Sequence, residues 1–166
     1  MSEFKKTEYI QLFKQMYAPI KNFVYYKTGD MDLSEDIAQD TFVKVWEKRK
    51  NIRQETVKAL LYKIAANICA NKFDHQQVVF AFANKYQHFE TSDSPEFELE
   101  LKEFNNKLQD AIGLLKEKQR IVFLMNRIDG YTYMQIADHL GLSVKAVEKR
   151  MKIALSELKK TIDYKI

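Results

Sequence analysis

The chain has 166 residues, 46% hydrophobic and 30% charged, and a net charge of +4. That composition excludes a disordered chain and suits one medium domain or two small ones. Four glycines, two prolines and one cysteine, Cys69, leave few turns for a β-rich fold and no internal disulfide. The charge is uneven: residues 114–166 carry 11 Lys/Arg against 6 Asp/Glu, and the rest carries 16 against 17. An excess of +5 in the last third points to an anionic partner there. The opening MSEFKKTEY lacks the apolar core of a signal peptide, and the longest apolar run, Val78–Ala83, is too short to span a bilayer. The expectation is a cytoplasmic protein with no membrane insertion.

In chain order, Tyr9, Ile10, Phe13, Met16, Tyr17, Ile20, Phe23 and Val24 recur at helical spacing. Pro19 inside that run predicts a kink or two abutting helices. Lys27–Asp32 reads as a turn, after which Ser34 or Asp32 caps a helix to about Lys48. Its apolar stripe is Ile37, Ala38, Thr41, Phe42, Val45 and Trp46. A third helix is predicted over about Glu55–Phe73. The segment Val78–Phe89 fits a strand or a helix, and the helical context favours a helix. Residues 90–96, ETSDSPE, read as a linker. Phe97, Leu101, Phe104, Leu108, Ala111 and Ile112 then predict a helix ended by Gly113, and another covers about Glu117–Ile128, closed by Asp129 and Gly130. The predicted fold class is all-α: two small helical domains over 1–78 and 97–166, joined by a linker at 79–96.

The most specific local grammar is YMQIADHLGLSVKAVEKRM, residues 133–151. Thr132 with Gln135 forms a capping box, so a helix starts at Tyr133. Gly141 supplies a left-handed turn that a side chain resists. Ser143 caps a second helix, whose inner face is predicted as Val144, Val147, Met151, Ala154, Leu155 and Leu158. Ala137 lets the two helices approach closely. This is a helix-turn-helix pattern, and the opposite face carries Lys145, Lys149 and Lys152, flanked by Glu148 and Arg150. A face of that kind can enter a major groove, with the helix N-terminus near a phosphate.

Residues 114–159 resemble the C-terminal domain of extracytoplasmic-function sigma factors, the small promoter-recognition subunits of bacterial RNA polymerase. Arg120, Phe123, Asp129-Gly130, Ile136-Ala137, Gly141, Ser143, Val147 and Arg150 carry the likeness. The resemblance implies that this domain reads the upstream (−35) promoter element through Ser143, Lys145, Glu148, Lys149 and Lys152, with Arg150 near the backbone. SEDIAQDTFVKVWEKR, residues 34–49, resembles the stretch with which the family's first domain binds the clamp coiled coil of the polymerase's largest subunit. Asp36, Gln39, Asp40, Val43 and Glu47 fall in one arc of that helix, a carboxylate-rich ridge suited to a basic partner. Trp46 borders the apolar stripe and serves core packing or that partner contact. ALLYKIAANICANKF, residues 59–73, resembles the family segment that frames the downstream (−10) element, which implies roles for Tyr62 and Asn67 in holding unstacked bases.

Two departures qualify the likeness. Where the family has several arginines after the Asn67 segment, this chain has Asp74, His75, Gln76 and Gln77, so Lys63 and Lys72 are the nearest candidates for phosphate contacts. Lys116 stands where a proline is common. The resemblance also implies an inhibitory anti-sigma partner, and the apolar Val78–Phe89 is expected to pack between the domains or against it. His75, His88, His139 and Cys69 show no metal-ligand spacing, and neither a phosphate loop, a nucleophile elbow nor a catalytic carboxylate pair is evident, so no cofactor, metal or enzymatic activity is expected. The competing functions are a stand-alone helix-turn-helix regulator that binds DNA without polymerase, and a protein-binding adaptor that has lost promoter opening.

Overall fold

The computed structural model describes residues 4–73 and 94–162, and these are helical throughout apart from their connections. The predicted segment 78–89 therefore lies outside the described residues.

The first unit holds three helices. α1 (Lys6–Thr28) buries Leu12, Met16, Ile20, Phe23, Val24 and Tyr26 along one side. It runs uninterrupted through Pro19, so two abutting helices do not form. Proline removes one backbone hydrogen bond, but Met16 and Ile20 are buried on either side and hold the turns in register. α1 stops at Gly29, whose φ of 68° is left-handed, and the Gly29 amide donates to Tyr25 O at 2.7 Å.

α2 (Met31–Glu47) is capped by Asp30, not by Ser34 or Asp32. The Asp30 carboxylate accepts from the Leu33 amide at 3.0 Å. Gly29 ends α1 so sharply that the next residue is already extended, as a cap requires. Ser34 lies a turn inside, buried, with its hydroxyl donating back to Asp30 O. After one 3₁₀ turn (Arg49–Asn51), α3 (Val57–Lys72) packs Leu61, Ala65, Ile68 and Cys69 with Ile37, Ala38, Phe42 and Val45 of α2 in one core. Thr41, also buried, satisfies its hydroxyl on Ile37 O at 2.7 Å. Burial pushes the Cys69 thiol up to about 11.

The second unit comprises α4 (Pro95–Leu114), α5 (Glu117–Arg127), α6 (Tyr133–Leu140) and α7 (Val144–Ile162). Pro95 occupies the start of α4, where its missing N–H costs nothing, so the helix begins inside the predicted linker. Gly113 does not end α4: it lies within the last turn, and the chain leaves the helix at Leu115, which is extended (ψ 143°) and buried. Only the C-terminal part of α4 packs, through Ala111 and Ile112. Phe97, Leu101 and Phe104 are 49%, 47% and 49% exposed.

The two units meet along a seam in which α1 lies on α5 and α3 lies on α6. That seam sets the surroundings of α3, and the α6–α7 turn sets the exposed face of α7.

Candidate nucleic-acid interface

The α6–α7 pair is fixed by local chemistry. Thr132 Oγ1 accepts from the Gln135 amide at 3.2 Å, and the Gln135 side chain accepts from the Thr132 amide at 2.9 Å. Gly141 has φ 65° and ψ 37°, and the Leu142 amide returns to Ala137 O at 2.9 Å. Ser143 Oγ accepts from the Ala146 amide at 3.1 Å, relieving one orphan donor at the start of α7. Val147, Met151, Ala154 and Leu158, spaced at four, three and four, form the buried stripe of α7. Val144 and Leu155, expected on that inner face, are exposed at its borders instead. The stripe needs an arc narrower than six residues occupy, because α7 meets its own unit only through α4, α5 and α6 on one side.

On the far side of α7, Lys145, Glu148, Lys149 and Lys152 are exposed and Arg150 is half-buried. The result is a rigid cationic helix face on a buttressed support.

On α2, Asp36, Gln39, Val43 and Glu47 are exposed, and Asp40 is partly so. Asp40 is not free: its carboxylate accepts from Lys72 Nζ at 2.7 Å. That hydrogen bond and charge hold the Lys72 ammonium above its usual range. Lys72, expected to face DNA from α3, thus points to the α2 ridge. Trp46 is half-buried, 4.8 Å from the Tyr9 ring, with the Arg49 guanidinium 4.1 Å over its face.

On α3, Lys63 and Asn67 are exposed, but Tyr62 is only 2% exposed. Its ring lies edge-on to Phe23 at 5.1 Å and stacks on His139 of α6 at 5.0 Å. The aromatic surface expected to hold unstacked bases is therefore covered in this conformation. The reason is the seam: α6 presents His139 to the one aromatic side chain on that side of α3. Burial pushes the Tyr62 hydroxyl well above its usual range, and Tyr131 and Asp129 add to the shift. A cavity of about 490 Å³ lies alongside, between Ala59, Lys63 and Asn67 of α3 and His139, Leu140 and Gly141 across the seam.

Several seam residues escaped the sequence reading. Asn22, Tyr26 and Lys27 of α1 meet Asp129, Arg120 and Glu117. Arg120 and Asp129 stand out in sequence only as parts of a motif, and Asn22 carries no sequence signal at all.

Comparison with known proteins agrees with this architecture. Residues 12–79 match the sigma-70 region 2 family and residues 105–158 match the sigma-70 region 4 family. The chain is 28% identical over 156 residues to RNA polymerase sigma factor YlaC of Bacillus subtilis, covering 91% of this chain and 90% of that protein. It is 28% identical over 121 residues to the ferric citrate uptake sigma factor FecI of Escherichia coli, covering 70% and 68%. Among solved structures, the fold is similar to CnrH in complex with the cytosolic domain of CnrY (TM-score 0.64, 23% identity, 96% and 90% covered). It is also similar to the sigma factor RpoE of Bartonella quintana in complex with the anti-sigma factor NepR (TM-score 0.67, 17% identity, 96% and 99% covered). The chain belongs to the extracytoplasmic-function sigma factors, which direct bacterial RNA polymerase to promoters. Members of this family are in general not enzymes.

Proposed function

We propose that the two units divide the promoter between them. Residues 1–78 dock on the polymerase clamp through Asp36, Gln39, Asp40, Val43, Trp46 and Glu47. The same unit frames the −10 element with Tyr62, Lys63 and Asn67, while Lys72 is held on the α2 ridge by Asp40. Residues 97–166 read the −35 element with Ser143, Lys145, Glu148, Lys149, Arg150 and Lys152. No chemistry is performed by the chain, and no cofactor is needed; specificity comes from groove contacts and from trapping melted bases. The observation that carries this reading is the exposed lysine face of α7, set by Gly141 and a buried stripe on the opposite side.

The partners are core polymerase, promoter DNA and an anti-sigma factor, and the working compartment is the cytoplasm. Among the described residues, no helix is long and apolar enough to cross a membrane and no group of three or more His, Cys, Asp or Glu residues could hold a metal.

The test is co-purification with bacterial core polymerase and run-off transcription from a promoter library. Asp36→Lys, which breaks no ion pair described above, and Asp40→Lys should each weaken core binding about tenfold or more and abolish specific transcripts. A protein that ignores core polymerase yet binds duplex DNA would instead be a stand-alone regulator.

A further inference from the structure

We propose that the chain is self-latched: its second unit is an intramolecular ligand for its first, and it covers the α3 surface until the two are pulled apart. The occlusion part of this inference rests on the reading of α3 as the −10 surface.

The latch has three parts. The first is a helix cap supplied from the other unit. The last carbonyls of α1 have no partner within the helix. Arg120 of α5 supplies one: Nε donates to Tyr26 O at 2.7 Å and Nη2 to Lys27 O at 3.2 Å, while Nη1 donates to Leu115 O at 2.9 Å. A cation at a helix C-terminus also complements its dipole. The second is a carboxylate cradle. Asp129 Oδ1 accepts from Asn22 Nδ2 at 3.0 Å and from the Tyr26 hydroxyl at 2.8 Å. Beside it, Lys27 of α1 pairs with Glu117 of α5. The third is the Tyr62–His139 ring stack, which places α6 on α3.

The chemistry of this seam suits a reversible contact. Directional polar bonds supplement its apolar packing, and Arg120, Asp129, Lys27 and Glu117 recover hydration on opening. What opening exposes on the α3 side is Tyr62.

Geometry makes opening obligatory for promoter reading. Elements at −35 and −10 lie about 85 Å apart along a duplex that rises ~3.4 Å per base pair. In the latched form α3 touches α6 directly, so the two units cannot occupy both elements at once.

The Lys27–Glu117 pair provides the test, because neither residue belongs to the proposed DNA or polymerase surfaces. Small-angle scattering on the free full chain should give a compact particle for the wild type. Lys27→Glu and Glu117→Lys should each increase the radius of gyration with unchanged helicity by circular dichroism, and the exchanged double variant should restore compaction. The opened single variants should bind core polymerase with an apparent Kd about tenfold lower, since none of the binding free energy is spent on opening. An extended wild type, or single variants as compact as the wild type, would overturn the latch. Scattering reads the seam alone, so its failure is distinct from failure of the α3 assignment. That assignment fails if opened variants still show no contact with melted promoter DNA in the polymerase complex.

Discussion

The two proposed DNA-reading surfaces are in opposite states. The α7 face is exposed along its length and needs no rearrangement to enter a groove. The α3 face is covered at its aromatic centre, where Tyr62 lies between Phe23 and His139. The difference follows from what each surface has to do. A groove reader works as a rigid body, so a preformed helix is sufficient. A surface that traps unstacked bases is an exposed aromatic patch when idle, and apolar surface of that kind is best kept covered until used.

Perturbing each side separately sharpens the contrast. The largest effect is expected from Val147→Asp, which puts an unpaired charge at a fully buried position of α7. A loss of about 4 kcal/mol should unfold the second unit. Hydrogen exchange should then be fast over α5–α7 and still slow in the core of α1–α3. Equal loss of protection in both units would show that the first cannot stand without the second.

Next is the pair Lys149→Ala with Lys152→Ala. Holoenzyme carrying both should bind promoter fragments roughly tenfold more weakly, with a salt slope lower by about 1 to 2 and unchanged core polymerase binding. Lost polymerase binding would reverse the roles of the two units. Gly141→Ala is expected to cost about 1 kcal/mol from its left-handed φ alone, because a Cβ there meets nothing within 4 Å. The check is a small fall in Tm with DNA specificity unaltered.

The smallest effect is on pH. Burial against Tyr62 and Tyr131 holds His139 below its ordinary 6.5, with Lys58 adding to the shift and Asp138 opposing it. The seam therefore binds fewer protons than the open form, and its stability falls as pH drops through about 6.5. Asp129 acts oppositely: burial raises it above 3.8 despite the Tyr26 and Asn22 hydrogen bonds, so it favours the closed form on acidification in a lower window. Scattering at pH 8 and pH 6 should show slightly more open protein at the lower pH, and His139→Gln should flatten that response.

The helix-turn-helix was legible in detail because its signals are local. A capping box, one left-handed glycine and a stripe at three and four residues each act within a turn or two of chain. The α2 cap was misplaced for an equally local reason: Asp30, Asp32 and Ser34 all have capping side chains, and only the abrupt stop at Gly29 selects the first. What the sequence could not convey is the seam. Asn22 and Asp129 are 107 residues apart, and nothing in the spacing around either marks it as a partner. Tyr62 was singled out by type alone, and its covering involves a residue 77 positions later, His139.

The chain's one tryptophan gives the first unit an optical signature of its own. Trp46 lies against Tyr9 and under the Arg49 guanidinium, far in sequence from any part of α4–α7. Its emission should follow the melting of α1–α3, whereas far-ultraviolet circular dichroism follows the helices of both units. A denaturation curve recorded both ways would separate the two units without any label, and coincident curves would mean that they melt together.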